Sequence, residues 1–132
     1  ALSSAASDVY KRQFSDRPVP REVVDRILAE ALSAPSARNT RTTRFLVVDD
    51  PVLVARMAEM RDYGSAFMKG APLAFVVLGD TSKSDLWREN AAISATVLQL
   101  ACVDEGLAEG EQVVTAGQQK LRNGMKVIPV IR

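Results

Sequence analysis

The segment from Asp85 to Glu105 places the tightest constraint on the fold. Ile93, Val97, Leu98, Leu100, Ala101 and Val103 fall at helical spacings and leave little of the circumference polar. A helix that is apolar on most sides has to be surrounded by other elements, so the spacing predicts a central core helix over about 85–105. Gly106 is its natural stop, because a residue without a Cβ enters the left-handed conformation that closes a helix. The weakly polar stretch AAISATVLQLACV covers only residues 91–103. A membrane span needs about 20 apolar residues, so this segment suits a soluble core and not a bilayer.

The remaining segments must pack around that helix. Val23, Val24, Ile27, Leu28, Ala31 and Leu32 recur at three- and four-residue steps. They predict a helix over about 21–33, with Pro20 in its first turn and Pro35 just past its end. RFLVVDD, residues 44–50, reads as a strand closed by acids. PVLVARMAEMRDYG then reads as a helix from Pro51 to Gly64. APLAFVVLGD, residues 71–80, is continuously apolar and reads as a strand buried on both faces. Residues 1–13 have no usable periodicity and read as a loose terminus. From 108 to 132, Gly110, Gly117 and Gly124 separate short apolar pieces, giving small strands at EQVVTAG and MKVIPVIR.

Composition removes several function classes. A chain of 132 residues makes one domain. Its net charge of +1 gives no bulk attraction for nucleic acid or an anionic membrane. The absence of histidine excludes histidine-based triads and histidine metal sites. A single cysteine, Cys102, lies in an apolar run, which excludes an internal disulfide and fits a small buried hydrophobe in a reducing compartment. No basic-then-apolar leader is visible, so the expectation is a cytoplasmic protein. There is no dinucleotide fingerprint, phosphate loop or nucleophile elbow. Asp49–Asp50 and Asp104–Glu105 read as solvated element ends, and Met57 and Met60 as core or surface of a short helix, not a ligand set. Tyr63 and Trp87 could stack on a planar ligand or serve as partial core.

The polar stretch APSARNTRTTRF, residues 34–45, is long for a connection in a compact domain. Pro35 turns the chain out of the preceding helix. Ser36 brings a hydroxyl and Asn39 an amide, so between them they can donate and accept. A loop of this kind can read the edge of a flat heterocycle that mixes carbonyls and ring nitrogens. Arg38, Arg41 and Arg44 add affinity for an anion. The plainer alternative is a helix cap and turn with solvated arginines.

Several ordered blocks resemble the nitroreductase family. They are FSDRPVPREVVDRILAEALSAPSARN, RFLVVDD, KGAPLAFVVLGD and ENAAISATVLQLACVDEGL. The resemblance runs from Phe14 to Leu107. It implies an α+β flavoprotein, here partial, with a long central helix packed on a small sheet. It also implies an intertwined homodimer with FMN at the subunit interface. Hydride would pass from NAD(P)H through the flavin to a small acceptor such as a nitroaromatic or quinone. No side chain need then be a catalytic acid or base, and no metal is required. Position by position, Pro35, Ser36 and Asn39 match the family's flavin-contacting loop. Lys69 falls near a basic or amide contact to the flavin. Arg12 matches the second arginine of the N-terminal motif that meets the FMN phosphate.

The chain departs from the family pattern at Val9 and Tyr10, which replace an arginine and a serine. Arg41, Thr42 and Thr43 stand where the family writes Gln-Pro-Trp. Fewer cationic partners for the phosphate imply weaker FMN binding, since each charge-assisted bond is worth about 1.5–3 kcal/mol. The second reading is therefore a truncated or composite nitroreductase-like fragment with weak or no flavin binding. Residues 106–130 resemble the C-terminal segment of efflux-pump periplasmic adaptor subunits, which implies a third reading as an interaction module. The leader SAASDVYKRQ resembles a translated sequencing linker and implies a non-native start.

Overall fold

The computed structural model of the chain describes residues 14–15, 17–60, 62 and 66–107. The terminus over 1–13 expected to be loose, Arg12 within it, Tyr63, Gly64 and the tail over 108–132 expected to form small strands lie outside the described residues. Helix α1 spans Arg21–Leu32 and buries Val24, Ile27 and Ala31, the face that the spacing predicts. Pro20 stands one place before the helix with extended backbone, and its carbonyl accepts from the N–H groups of Val23 and Val24.

Strand β1, Thr43–Val48, pairs antiparallel with β2, Ala74–Gly79. Thr43 lies opposite Gly79, and Val48 opposite Ala74. β1 stops short of the predicted residue 50 because Asp50 is taken by the next helix. Its Oδ1 accepts from the N–H of Val52 at 2.8 Å and caps α2, Pro51–Ala58. α2 is shorter than the predicted 51–64. Past Ala58 the N–H groups of Glu59 and Met60 reach back only three residues, to Arg56 and Met57, and the last turn tightens and ends.

Helix α3 spans Trp87–Asp104. Gly106, at φ 79°, closes it. The Leu107 N–H donates to the Cys102 carbonyl and the Gly106 N–H to the Val103 carbonyl, which is the Schellman arrangement. Leu107 then packs back on the core. At the same end, Arg26 of α1 donates Nε and Nη2 to the two carboxylate oxygens of Glu105, at 2.7 and 2.8 Å. This bidentate pair ties the C-terminus of α3 to the middle of α1.

The architecture is α+β, with the sheet as the middle layer. Phe45, Phe75 and Val77 point to one side, against Ile27, Ala31, Leu98, Ala101 and Cys102 of α1 and α3. Leu46, Val48, Ala74 and Val76 point to the other side, with Val54, Leu53 and Met57 of α2. The side chains alternate as the two-residue period of a strand requires. The expectation that β2 is buried on both faces needs correction. Both faces carry apolar neighbours, but only Ala74 is buried and residues 75–79 are half-buried. Among the described residues the sheet has two strands, each with one unpaired edge.

A second correction concerns α3. Its buried stripe is Asn90, Ser94, Leu98, Ala101 and Cys102, while Ile93, Leu100 and Val103 are 42%, 58% and 49% exposed. Among the described residues α1 and the sheet pack on one side of α3. The apolar residues of the opposite side are left open, so the helix is not surrounded within this layer arrangement.

Candidate functional site

The connection between α1 and β1 is an ordered loop with an unusual backbone. Ala37–Asn39 form a single tight turn. Arg38, Asn39 and Arg41 have φ values of 53°, 54° and 46°, in the left-handed region. For residues other than glycine this costs about 1 kcal/mol or more each, and it persists only where the surroundings over-determine it.

Those surroundings are visible. The Ser36 hydroxyl oxygen accepts from the Arg41 N–H at 2.9 Å. The Asn39 side-chain carbonyl accepts from Arg41 Nε at 3.1 Å. Arg41 Nη1 reaches the Leu32 carbonyl at the end of α1, at 3.4 Å. Arg44 Nη1 donates to the carbonyls of Arg41 and Thr43. The arginines of this loop hold its shape as well as exposing charge. The turn is thus built as the plainer reading has it, with its cations partly solvated.

Asn90 of α3 supplies the deepest contact. Its side chain is 1% exposed. Oδ1 accepts from the Ala37 N–H at 2.9 Å, and Nδ2 donates to the Thr42 hydroxyl at 3.0 Å and the Thr40 hydroxyl at 3.4 Å. Asn90 was not among the residues singled out in the sequence. The available signal was its place at helical spacing with Ser94, Leu98 and Cys102, a polar residue on a stripe that is otherwise small or apolar.

Beside the loop lies a cavity of about 260 Å³. Ala31, Leu32, Ala34 and Phe45 give it apolar walls, and Ser36, Arg41, Thr43, Arg44 and Ser94 give it polar ones. Thr43 is buried and its hydroxyl has no hydrogen-bond partner among the described residues. A buried hydroxyl left unpaired is costly, and this one belongs to a residue of the cavity wall. The Ser36 O–H and the Asn39 amide N–H groups also have no acceptor among the described residues. Apolar walls with a few polar groups suit a flat, partly polar ring.

The structure separates the sequence-predicted residues. Ser36 lines the cavity. Pro35 and Asn39 lie on the same loop, exposed, outside the cavity wall. Lys69 sits elsewhere, exposed, in the turn after Ala66–Met68, where its N–H donates to the Ala66 carbonyl. Trp87 packs over Gly79, and the Arg88 guanidinium lies 4.7 Å from its ring centre. It acts as partial core and cover for the strand end. Cys102 is buried, and burial pushes its thiol up to about 11, so it is inert as a nucleophile. Among the described residues no group of acidic or cysteine side chains could hold a metal ion, and no helix is long and apolar enough to cross a membrane.

Comparison with known proteins gives the family and the fold. A family model described as the nitroreductase family matches residues 10–61. A protein of Methanothermobacter thermautotrophicus, provisionally named NADH dehydrogenase/NAD(P)H nitroreductase, is 34% identical over 99 residues, covering 73% of this chain and 51% of its own. A protein of Archaeoglobus fulgidus with the same provisional name is 31% identical over 121 residues, covering 83% of this chain and 69% of its own. Among solved structures, an FMN-dependent nitroreductase from Clostridium difficile R20291 superposes with a TM-score of 0.70 at 41% identity. That match covers 72% of this chain and 56% of the other. The chain thus spans about half the length of the first of these relatives and of the solved structure. The superposable fold, the family match over residues 10–61 and an identity of 31% across two thirds of a relative's length together make this chain a member of the nitroreductase family.

Proposed function

We propose that the chain carries one side of an FMN site and serves the reduction of a small acceptor, such as a nitroaromatic or quinone, by NAD(P)H. The observation that carries this reading is the strained 36–42 loop beside a half-apolar cavity, with the Ser36 hydroxyl, the Asn39 amide and the Thr43 hydroxyl all having unused hydrogen-bonding capacity. This donor set fits a flavin ring, which offers carbonyl and ring-nitrogen acceptors along a planar edge. The name of the Clostridium structure, an FMN-dependent nitroreductase, supports it.

In this reading Ser36 meets the ring edge from the cavity wall, Asn39 meets it from the exposed side of the loop, and Ala31, Leu32, Ala34 and Phe45 keep water from its face. Pro35 sets the direction of the loop. Arg41 and Arg44 bring positive charge to the cavity wall, and the charge of Arg44 also acts on the Asp80 carboxyl. Lys69, which lies away from this cavity, and Arg12, outside the described residues, are the flavin contacts that the family resemblance adds, Arg12 for the phosphate. The flavin supplies the hydride chemistry when bound, and the protein supplies position, electrostatics and exclusion of water.

The site is completed by a second copy of the chain. A cavity of about 260 Å³ is smaller than the roughly 300–1,000 Å³ usual for a whole ligand. The exposed Ile93, Leu100 and Val103 form an apolar stripe on the outer side of α3, and such a stripe suits a subunit interface. The test is oxidation of NADH and of NADPH by the purified protein with added FMN and a nitroaromatic or quinone acceptor. Turnover that depends on both FMN and acceptor supports the reading. FMN bound but not reduced by either nicotinamide would overturn the reductase part of it.

A further inference from the structure

We propose that Asn90 is a positioning residue for the flavin, acting through the loop it holds. This rests on the FMN reading above. Its three hydrogen bonds go to residues 53, 50 and 48 positions away, and all three land in the loop. Ala37 precedes the left-handed pair Arg38 and Asn39. Thr40 lies between Asn39 and Arg41, and Thr42 follows Arg41. The bonds therefore bracket every left-handed residue of the loop. A left-handed backbone relaxes to an ordinary one unless it is held on both sides. Asn90 holds it with one acceptor and one amide, a pairing that a single asparagine can supply.

The chemistry of the position points the same way. A leucine at 90 would extend the buried stripe of Leu98 and Cys102 without burying an amide. An asparagine satisfied as ordinary core would find partners in its own helix or the sheet, whereas these bonds all reach out of α3 to the loop that carries Ser36 and Asn39. Thr42, fully buried, is fixed twice. Its hydroxyl accepts from Asn90, and its carbonyl accepts from the Asp80 N–H at 2.8 Å. The loop is thus fastened to α3 at one end and to the end of β2 at the other.

The test uses the full chain with Asn90→Leu, Asn90→Asp and, as a control of matched instability, Val54→Ala on the far side of the sheet. Amide hydrogen exchange is measured without FMN, and FMN affinity by quenching of flavin fluorescence. In Asn90→Leu the Ala37 and Arg41 amides should exchange at least about tenfold faster, with the middles of α1 and α3 unchanged. FMN affinity should fall about tenfold, and the visible absorption band of the flavin still bound should change shape. Asn90→Asp keeps the acceptor for Ala37 and loses both donors, so it should fall between Asn90→Leu and the unaltered chain. Val54→Ala should leave affinity and band unchanged. Unchanged loop exchange in Asn90→Leu would overturn the holding role. Faster loop exchange with affinity no weaker than in Val54→Ala would overturn the positioning role and leave Asn90 as structure only. No FMN binding by the unaltered chain would overturn the flavin reading itself, and the positioning role with it.

Discussion

Ser36 accepts a hydrogen bond from the Arg41 N–H, which folds the loop, and its own O–H has no acceptor among the described residues; in the proposed reading that O–H meets the flavin. Ser36→Ala should therefore weaken FMN binding roughly three- to tenfold, and Asn39→Ala by a similar factor, both read by flavin fluorescence. Unchanged affinity in both would remove these side chains from the site. Cys102 gives the opposite kind of prediction. With its thiol pushed up to about 11 by burial, it should resist a thiol reagent at neutral pH in the folded protein and react fully once denaturant exposes it. Rapid labelling of the native chain would show that the α1–α3 core opens. At this scale Ser36 was legible as a hydroxyl of the polar loop, and the structure puts it in the cavity wall, whereas Asn39 of the same loop lies exposed outside that wall. Thr43 was not, because a threonine at the start of a strand is ordinary until its hydroxyl is seen buried and unpaired. Asn90 was hidden because its partners lie about fifty residues away.

Among the elements, the helices and strands were readable in kind, and their ends moved by local competition. Asp50 could close β1 or cap α2, and the cap won because it satisfies an N–H that the helix leaves open. Gly79 marks another local constraint. A Cβ there would overlap the Trp87 ring, so Gly79→Ala should cost about 1–3 kcal/mol of stability, measured by denaturant unfolding. No loss would mean that Trp87 moves aside freely. The Arg26–Glu105 pair predicts a pH effect. The hydrogen bond from Arg26, with its positive charge, holds the Glu105 carboxyl below the usual carboxylate range. A lowered carboxyl pKa stabilises the fold above the unfolded pKa and loses that contribution as pH falls through the folded one. Thermal unfolding of the unaltered chain and of Arg26→Met should therefore differ at neutral pH and converge under acid, while the contribution of Asp80, lowered by its bond from Ser82, is lost in both alike. A gap that persists unchanged into acid would assign the pair's effect to packing by the arginine stem.

For the whole molecule, the apolar excess of α3 was legible and its meaning was not. Ile93, Leu100 and Val103 promise a surrounded helix by sequence, and within one chain they lie on its open side. Periodicity counts apolar faces but does not say whether the cover comes from the same chain or from another. If a second copy covers this face, Leu100→Glu should shift the protein from dimer to monomer in gel filtration and reduce FMN affinity together with it. Loss of the dimer without loss of affinity would place the whole flavin site within one chain. The central claim is that this chain, spanning about half of the first relative it matches, still binds FMN. The most direct measurement is a titration of the purified protein with FMN, followed by flavin fluorescence, with gel filtration on the same sample. The account predicts saturable quenching at micromolar FMN and a dimer peak that carries the flavin colour. A monomer or aggregate that leaves the fluorescence unquenched would contradict it.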